Sequence, residues 1–143
     1  MTAAAKNRNT PERAGLSRSH PVGASVHCYA GAIAVLNATG YAVPATTATG
    51  LVAIGRFAEE ADNSAGADGA LSVTVERGIF RYANSADADL IAATDVGSLC
   101  YLVDDQTVAK TDGTGTRSVA GYIDGVDDSG VWVRIDPTTG ASA

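Results

Sequence analysis

At 143 residues the chain has length for one domain with one core, and its 45 % of hydrophobic residues is ordinary for a globular protein. Its 16 glycines and sparse Leu, Lys, Glu and Gln disfavour long helices, and no stretch approaches the ~20 apolar residues of a membrane span. A net charge of −6 disfavours phosphate binding by the body of the chain, so neither nucleic acid nor a membrane is expected as a partner.

Residues 1–22 are predicted to form an extended arm. Lys6, Arg8, Arg13 and Arg18 stand there against Glu12, whereas the rest of the chain is strongly acidic. A basic arm on an acidic body is a two-part electrostatic object. Apart from Leu16 and Val22 the segment holds no large aliphatic residue, and Pro11 and Pro21 interrupt it. It buries too little surface to offset its own ordering entropy, so a partner must order it, with those four basic side chains in contact. It also lacks the apolar run of a signal peptide, which predicts synthesis in a cytoplasm.

Residues 23–137 read as one β-domain. Strands are predicted over 26–30, 33–36, 41–43, 51–57, 71–75, 79–82, 99–103, 119–123 and 131–135. Leu71, Val73 and Val75 alternate with Ser72 and Thr74, and Val131, Val133 and Ile135 alternate with Trp132 and Arg134. That period of two gives each strand one apolar face. Asp68-Gly69, Asn84-Ser85, Asp112-Gly113 and Asp128-Ser129-Gly130 supply turn chemistry. One short helix is expected near 86–94. Residues 138–143 read as a flexible C-terminal tail.

One pattern recurs. Ile54-Gly55-Arg56-Phe57 leads through an acidic loop to the strand at 71–75, and Ala120-Gly121-Tyr122-Ile123 leads through Asp-rich turn residues to the strand at 131–135. A glycine inside a strand marks a bulge or a close backbone approach. Two hairpins of similar design suit a small barrel or sandwich. The loops differ in length, so a true repeat and a shared hairpin grammar both remain open.

No set of residues points to catalysis. The two histidines, His20 and His27, lie in or near the arm, and no nucleophile elbow, phosphate loop or zinc motif is present. Cys28 and Cys100 are outside any CxxC pair and read as reduced, buried, small hydrophobes. The acidic clusters at 104–105 and 124–128 read as solvated hairpin tips, since a calcium loop needs a fuller acidic repeat. No enzyme, metal or cofactor is therefore expected. Tyr29, Tyr41, Tyr82, Tyr101, Tyr122 and Trp132 all lie in or beside strands. Tyr122 and Trp132 oppose the aliphatic faces of theirs, which makes them the candidate subunit-interface residues.

The order of elements from 51 to 135 carries a resemblance. Val52-Ala53-Ile54-Gly55 is followed by a hairpin strand into Glu76-Arg77-Gly78-Ile79-Phe80. The segment 96–105 comes next, then Val119-Ala120-Gly121-Tyr122-Ile123 and the strand 131–135. This resembles the small capsid decoration, or cement, proteins of tailed bacteriophages. The resemblance implies an all-β fold, a small β-barrel or β-sandwich with an extended N-terminal arm. It also implies a homotrimer on the outer surface of an icosahedral virion that clamps the major capsid protein. The alternative is a receptor- or carbohydrate-binding module of a tail or fibre, which requires a concave, aromatic-lined pocket. A small hydrolase is the third class and lacks a triad or metal set.

Overall fold

The structure, a computed structural model, describes residues 2–10, 13 and 15–137. It is all-β. In chain order the strands are β1 (Ser17–Pro21), β2 (Val26–Cys28), β3 (Ile33–Leu36), β4 (Ala42–Pro44), β5 (Val52–Phe57) and β6 (Ala61–Asn63). They continue as β7 (Ser72–Glu76), β8 (Gly78–Tyr82), β9 (Leu99–Leu102), β10 (Val108–Ala109), β11 (Val119–Asp127) and β12 (Gly130–Ile135).

Ten of these strands form two five-stranded antiparallel sheets, ordered β1-β7-β5-β3-β4 and β10-β9-β11-β12-β8. Each sheet curls until its edges meet. Val22, just after β1, bridges Ala42 of β4, and Ala83, just after β8, bridges Thr107 beside β10. The Gly23 N–H donates to the Ala42 carbonyl (2.9 Å) and the Val108 N–H donates to the Ala83 carbonyl (3.0 Å). Two small barrels, each closed at one end, result. The short ribbon β2-β6 lies beside the first. Closure removes part of the exposed edge that an open sheet would offer to other chains.

The barrels are copies of one design. Read from the closing strand inward, the first runs β1-β7-β5-β3-β4 and the second β8-β12-β11-β9-β10. Across three of the five strands the correspondence has a constant spacing of 66 residues (Ile33 to Leu99, Ala42 to Val108, Gly55 to Gly121). The register agrees in detail. Ala34 opposes Gly55 as Cys100 opposes Gly121, and Leu36 opposes Ala42 as Leu102 opposes Val108. A bulge falls at the same place, between Ala53 and Gly55 and between Val119 and Gly121. Loop hydrogen bonds repeat too: Gly31 N–H to Phe57 carbonyl and Gly97 N–H to Ile123 carbonyl are both 2.8 Å. A Cβ at Gly55 would overlap the Glu76 carbonyl oxygen, and one at Gly121 the Arg134 carbonyl oxygen. The recurrent strand glycine is therefore a close-approach site in a duplicated unit, which decides for a structural repeat.

Alternation fills each interior. Ala34, Ile54, Phe57, Val73 and Val75 form the core of the first barrel, together with Val22, Cys28 and Ala42. Cys100, Ala120, Ile123, Val131 and Val133 take the matching positions in the second, with Val108 where the first has Ala42. The first barrel also turns Ile33, Val35 and Ala53, on the opposite face of its strands, into the core shared with the second. Polar contacts line this joint. The Ile33 N–H donates to the Asp105 carbonyl (2.8 Å), and the Tyr82 hydroxyl donates to the Gly31 carbonyl (3.0 Å). The Thr47 hydroxyl donates to the Val103 carbonyl (2.7 Å). Ser118 Oγ accepts the Leu51 N–H (3.1 Å) and donates to the Ala48 carbonyl (2.7 Å).

Three expectations change. The arm does not extend to residue 22: Ser17–Pro21 form β1, paired along its length with β7, and Val22 is fully buried. The sequence SRSHP carries no apolar stripe, but a strand at the end of a curled sheet gains ladder hydrogen bonds and a buried anchor from its neighbour. Proline at its last position is compatible with such an edge. The expected helix near 86–94 is a pair of 3-10 turns, Asp87–Asp89 and Ala93–Asp95. Asn84 and Ser85 do not make a tight reversal: the Asn84 amide pins the loop by bonding both the N–H and the carbonyl of Ile91 (3.0 and 2.9 Å). The tail expected at 138–143 lies outside the described residues.

Candidate interaction surfaces

The N-terminal segment is exposed at every described residue from 2 to 17, Lys6, Arg8 and Arg13 included. Leu16, at the point where the segment meets β1, is 65 % exposed. Arg18 differs from the other three cations. It sits in β1 and its guanidinium folds back to donate to the carbonyls of Ser17 (2.7 Å) and Gly15 (3.3 Å). The segment thus offers Lys6, Arg8 and Arg13 outward, while Arg18 braces the entry to the sheet.

Trp132 and Tyr122 both lie on the outer face of the second barrel. Cross-strand registry places Leu99, Tyr122, Arg134 and Ile79 in one row over β9, β11, β12 and β8. Tyr101 and Val119 form the next pair. Tyr122 is half-buried and lines a hollow of about 260 Å³ with Val96, Gly97 and Arg134. Trp132 is 37 % exposed. Its indole N–H donates to Asp127 Oδ2 (2.9 Å), and the Arg81 guanidinium lies 5.6 Å from its ring centre. Asp127 Oδ1 also accepts the N–H groups of Ser129 (2.7 Å) and Gly130 (3.1 Å). The Trp132 hydrogen bond, followed by those backbone donors, holds the Asp127 carboxyl below its ordinary range. Residues 124–127, expected in a hairpin tip, belong to β11 because they continue its pairing with β12, and Asp127 at the end of that strand brackets the tryptophan as well as the turn.

A larger groove, about 640 Å³, opens at the rim of the joint between the barrels. Tyr29, Arg81, Asp105, Gln106 and Ser129 line it. Tyr29 is 55 % exposed and its ring stacks on His27, with centres 4.2 Å apart. His27 Nε2 donates in turn to Glu60 Oε2 (2.5 Å). Burial, and next the neighbouring Asp104, raise the Asp105 carboxyl. The sequence marks Tyr29 only as one of the strand-borne aromatics and carries no signal for this groove, whose walls come from both barrels.

Of the remaining aromatics, Tyr82 serves the joint and is nearly buried. Cys28 and Cys100 are fully buried free thiols. Burial pushes them up to about 11 and about 12 respectively. Among the described residues no group of three or more His, Cys, Asp and Glu side chains converges as a metal site. No described helix is long and apolar enough to cross a membrane. A scan against protein-family models and searches of curated proteins and of solved structures each returned no match.

Proposed function

We propose that this chain is a structural virion protein that binds the outside of an icosahedral phage capsid and stabilises it by attaching to the major capsid protein. The observation that carries this reading is the N-terminal segment. It is basic, exposed at every described residue, and joined directly to the paired strand β1, so a pull on it is delivered to the sheet. A segment of this kind becomes ordered at the moment of docking, and backbone pairing to an exposed strand edge is the mode that compensates its lost entropy most directly. Charge pairs from Lys6, Arg8 and Arg13 add steering that weakens with salt. A clamp that binds only the assembled shell stabilises it by mass action.

The test is a truncation placed by the fold. Removing residues 2–13 should leave both barrels folded and abolish co-sedimentation with capsids. Removing 2–20 should instead unfold the first barrel, because it deletes most of β1. Equal co-sedimentation of the 2–13 deletion and the full chain would refute the anchoring role. Failure of the full chain itself to co-sediment would favour the receptor- or carbohydrate-binding reading, which has the groove beside Tyr29 in its support.

A further inference from the structure

The two barrels use one face differently. In the first, outward-facing Ile33, Val35 and Ala53 are fully buried, because they share one core with Tyr82, Cys100 and Leu102 of the second barrel, whose 103–106 turn also accepts the Ile33 N–H at Asp105. The counterparts on the second barrel are Leu99, Tyr101 and Val119. They face outward in the same way and are apolar apart from the Tyr101 hydroxyl, yet remain partly exposed. Strand alternation ordinarily places polar residues on a solvated face, so an apolar row there marks a contact surface.

The covering half has a spare as well. The 103–106 turn of the second barrel corresponds to the 37–40 turn of the first, built on the same hydrogen bond: Val103 N–H to Thr107 carbonyl (3.1 Å), Asn37 N–H to Tyr41 carbonyl (3.0 Å). Ser118 corresponds to Val52, which is 38 % exposed, and Thr39 and Gly40 are exposed. The joint is therefore head-to-tail. Were it two-fold symmetric, both copies of the Ile33 row would be buried alike. A head-to-tail contact used once within a chain leaves one unmatched half at each end, and such contacts propagate into rings or open fibres.

We propose that chains self-associate by repeating this internal joint: the 37–40 turn and Val52 of one copy cover Leu99, Tyr101 and Val119 of the next, and the copies close into a ring. This supplies the contact for the homo-oligomer expected of the chain. It rests on the duplicated fold, not on capsid binding, so the two readings fail separately.

Size-exclusion chromatography with light scattering on the isolated full-length protein tests it. The wild type should elute at one discrete multiple of the monomer mass. Tyr101→Glu removes the covered half and Val52→Lys the covering half, so each variant alone should be monomeric. Both side chains lie on the surface of their barrels, and circular dichroism should show each variant folded. Tyr101→Ser is the milder substitute should Tyr101→Glu lose its fold. Mixed together, the two variants retain one good joint between them and should form dimers and nothing larger. A monomeric wild type, oligomers that survive both substitutions, or a mixture that stays monomeric would each overturn the proposed joint. A mass that grows without limit with concentration would overturn ring closure.

Discussion

The duplicated glycines give the most direct test of the fold. Gly55 and Gly121 occupy matching positions, and in each a methyl group would overlap a carbonyl oxygen of the paired strand, that of Glu76 or Arg134. Backbone cannot swing aside as a flexible side chain can, so Gly121→Ala must spread β11 from β12. Such overpacking costs about 1–3 kcal/mol. Gly55 carries a further term, because its φ of +145° is a conformation that an L side chain rarely adopts, worth roughly another 1–3 kcal/mol. The stiffer unfolded chain of an alanine variant returns about 0.4–1 kcal/mol. Gly125 is the internal control: it lies on the same strand, has no positive φ, and its nearest neighbour to a new Cβ is Trp132 at 3.8 Å. The expected order of destabilisation is Gly55→Ala, then Gly121→Ala, with Gly125→Ala near wild type. For a domain of this size about 1 kcal/mol moves the melting temperature by roughly 3–5 °C. Thermal unfolding followed by circular dichroism, with urea midpoints as a second measure, reads all three. A Gly121→Ala protein as stable as Gly125→Ala would refute the close-approach reading and remove a main support for the equivalence of the barrels.

The Asp127 bracket predicts a pH dependence. Its folded carboxyl titrates below its unfolded value, so its contribution is fully present above the ordinary aspartate range, near ~3.9, and is lost as pH falls through the lower folded value. Asp127→Asn should therefore lower the melting temperature at neutral pH and shift Trp132 fluorescence, with the gap to wild type closing in acid; a gap independent of pH would contradict this. Cys28 and Cys100 should resist a thiol reagent at pH 8, since burial both blocks access and raises the thiols to about 11 and about 12. Under denaturant both should react at once, whereas rapid labelling of the native protein would show that the barrels open.

Much of the fold was legible in the residue pattern. Val73 with Val75, and Val131, Val133 and Ile135, are buried as their alternation requires, while Trp132 and Arg134 stay on the outer face. Alternation is a local property, and two neighbours in a strand cannot share a face. The turn at Asp128-Ser129 was legible for the same reason, since its chemistry is contained in a few adjacent residues. Strand β1 was not legible, because its partner stands far along the chain and its own residues are polar. Nor was the groove, which exists only where two barrels meet.

The candidate surfaces divide along the same line. Basic residues concentrated at one end, and aromatics placed opposite aliphatic faces, are readable one residue at a time. That Arg18 braces a strand while Lys6, Arg8 and Arg13 remain outward depends on where the sheet begins. The clearest case is the row Ile33, Val35 and Ala53 beside its counterpart Leu99, Tyr101 and Val119. By sequence the two rows are alike: apolar, alternating, on strands of matching design. Only the packing of one barrel on the other makes the first a core and leaves the second a surface. Burial of an outward face is a property of what lies across from it, and that is a long-range relation no local pattern encodes.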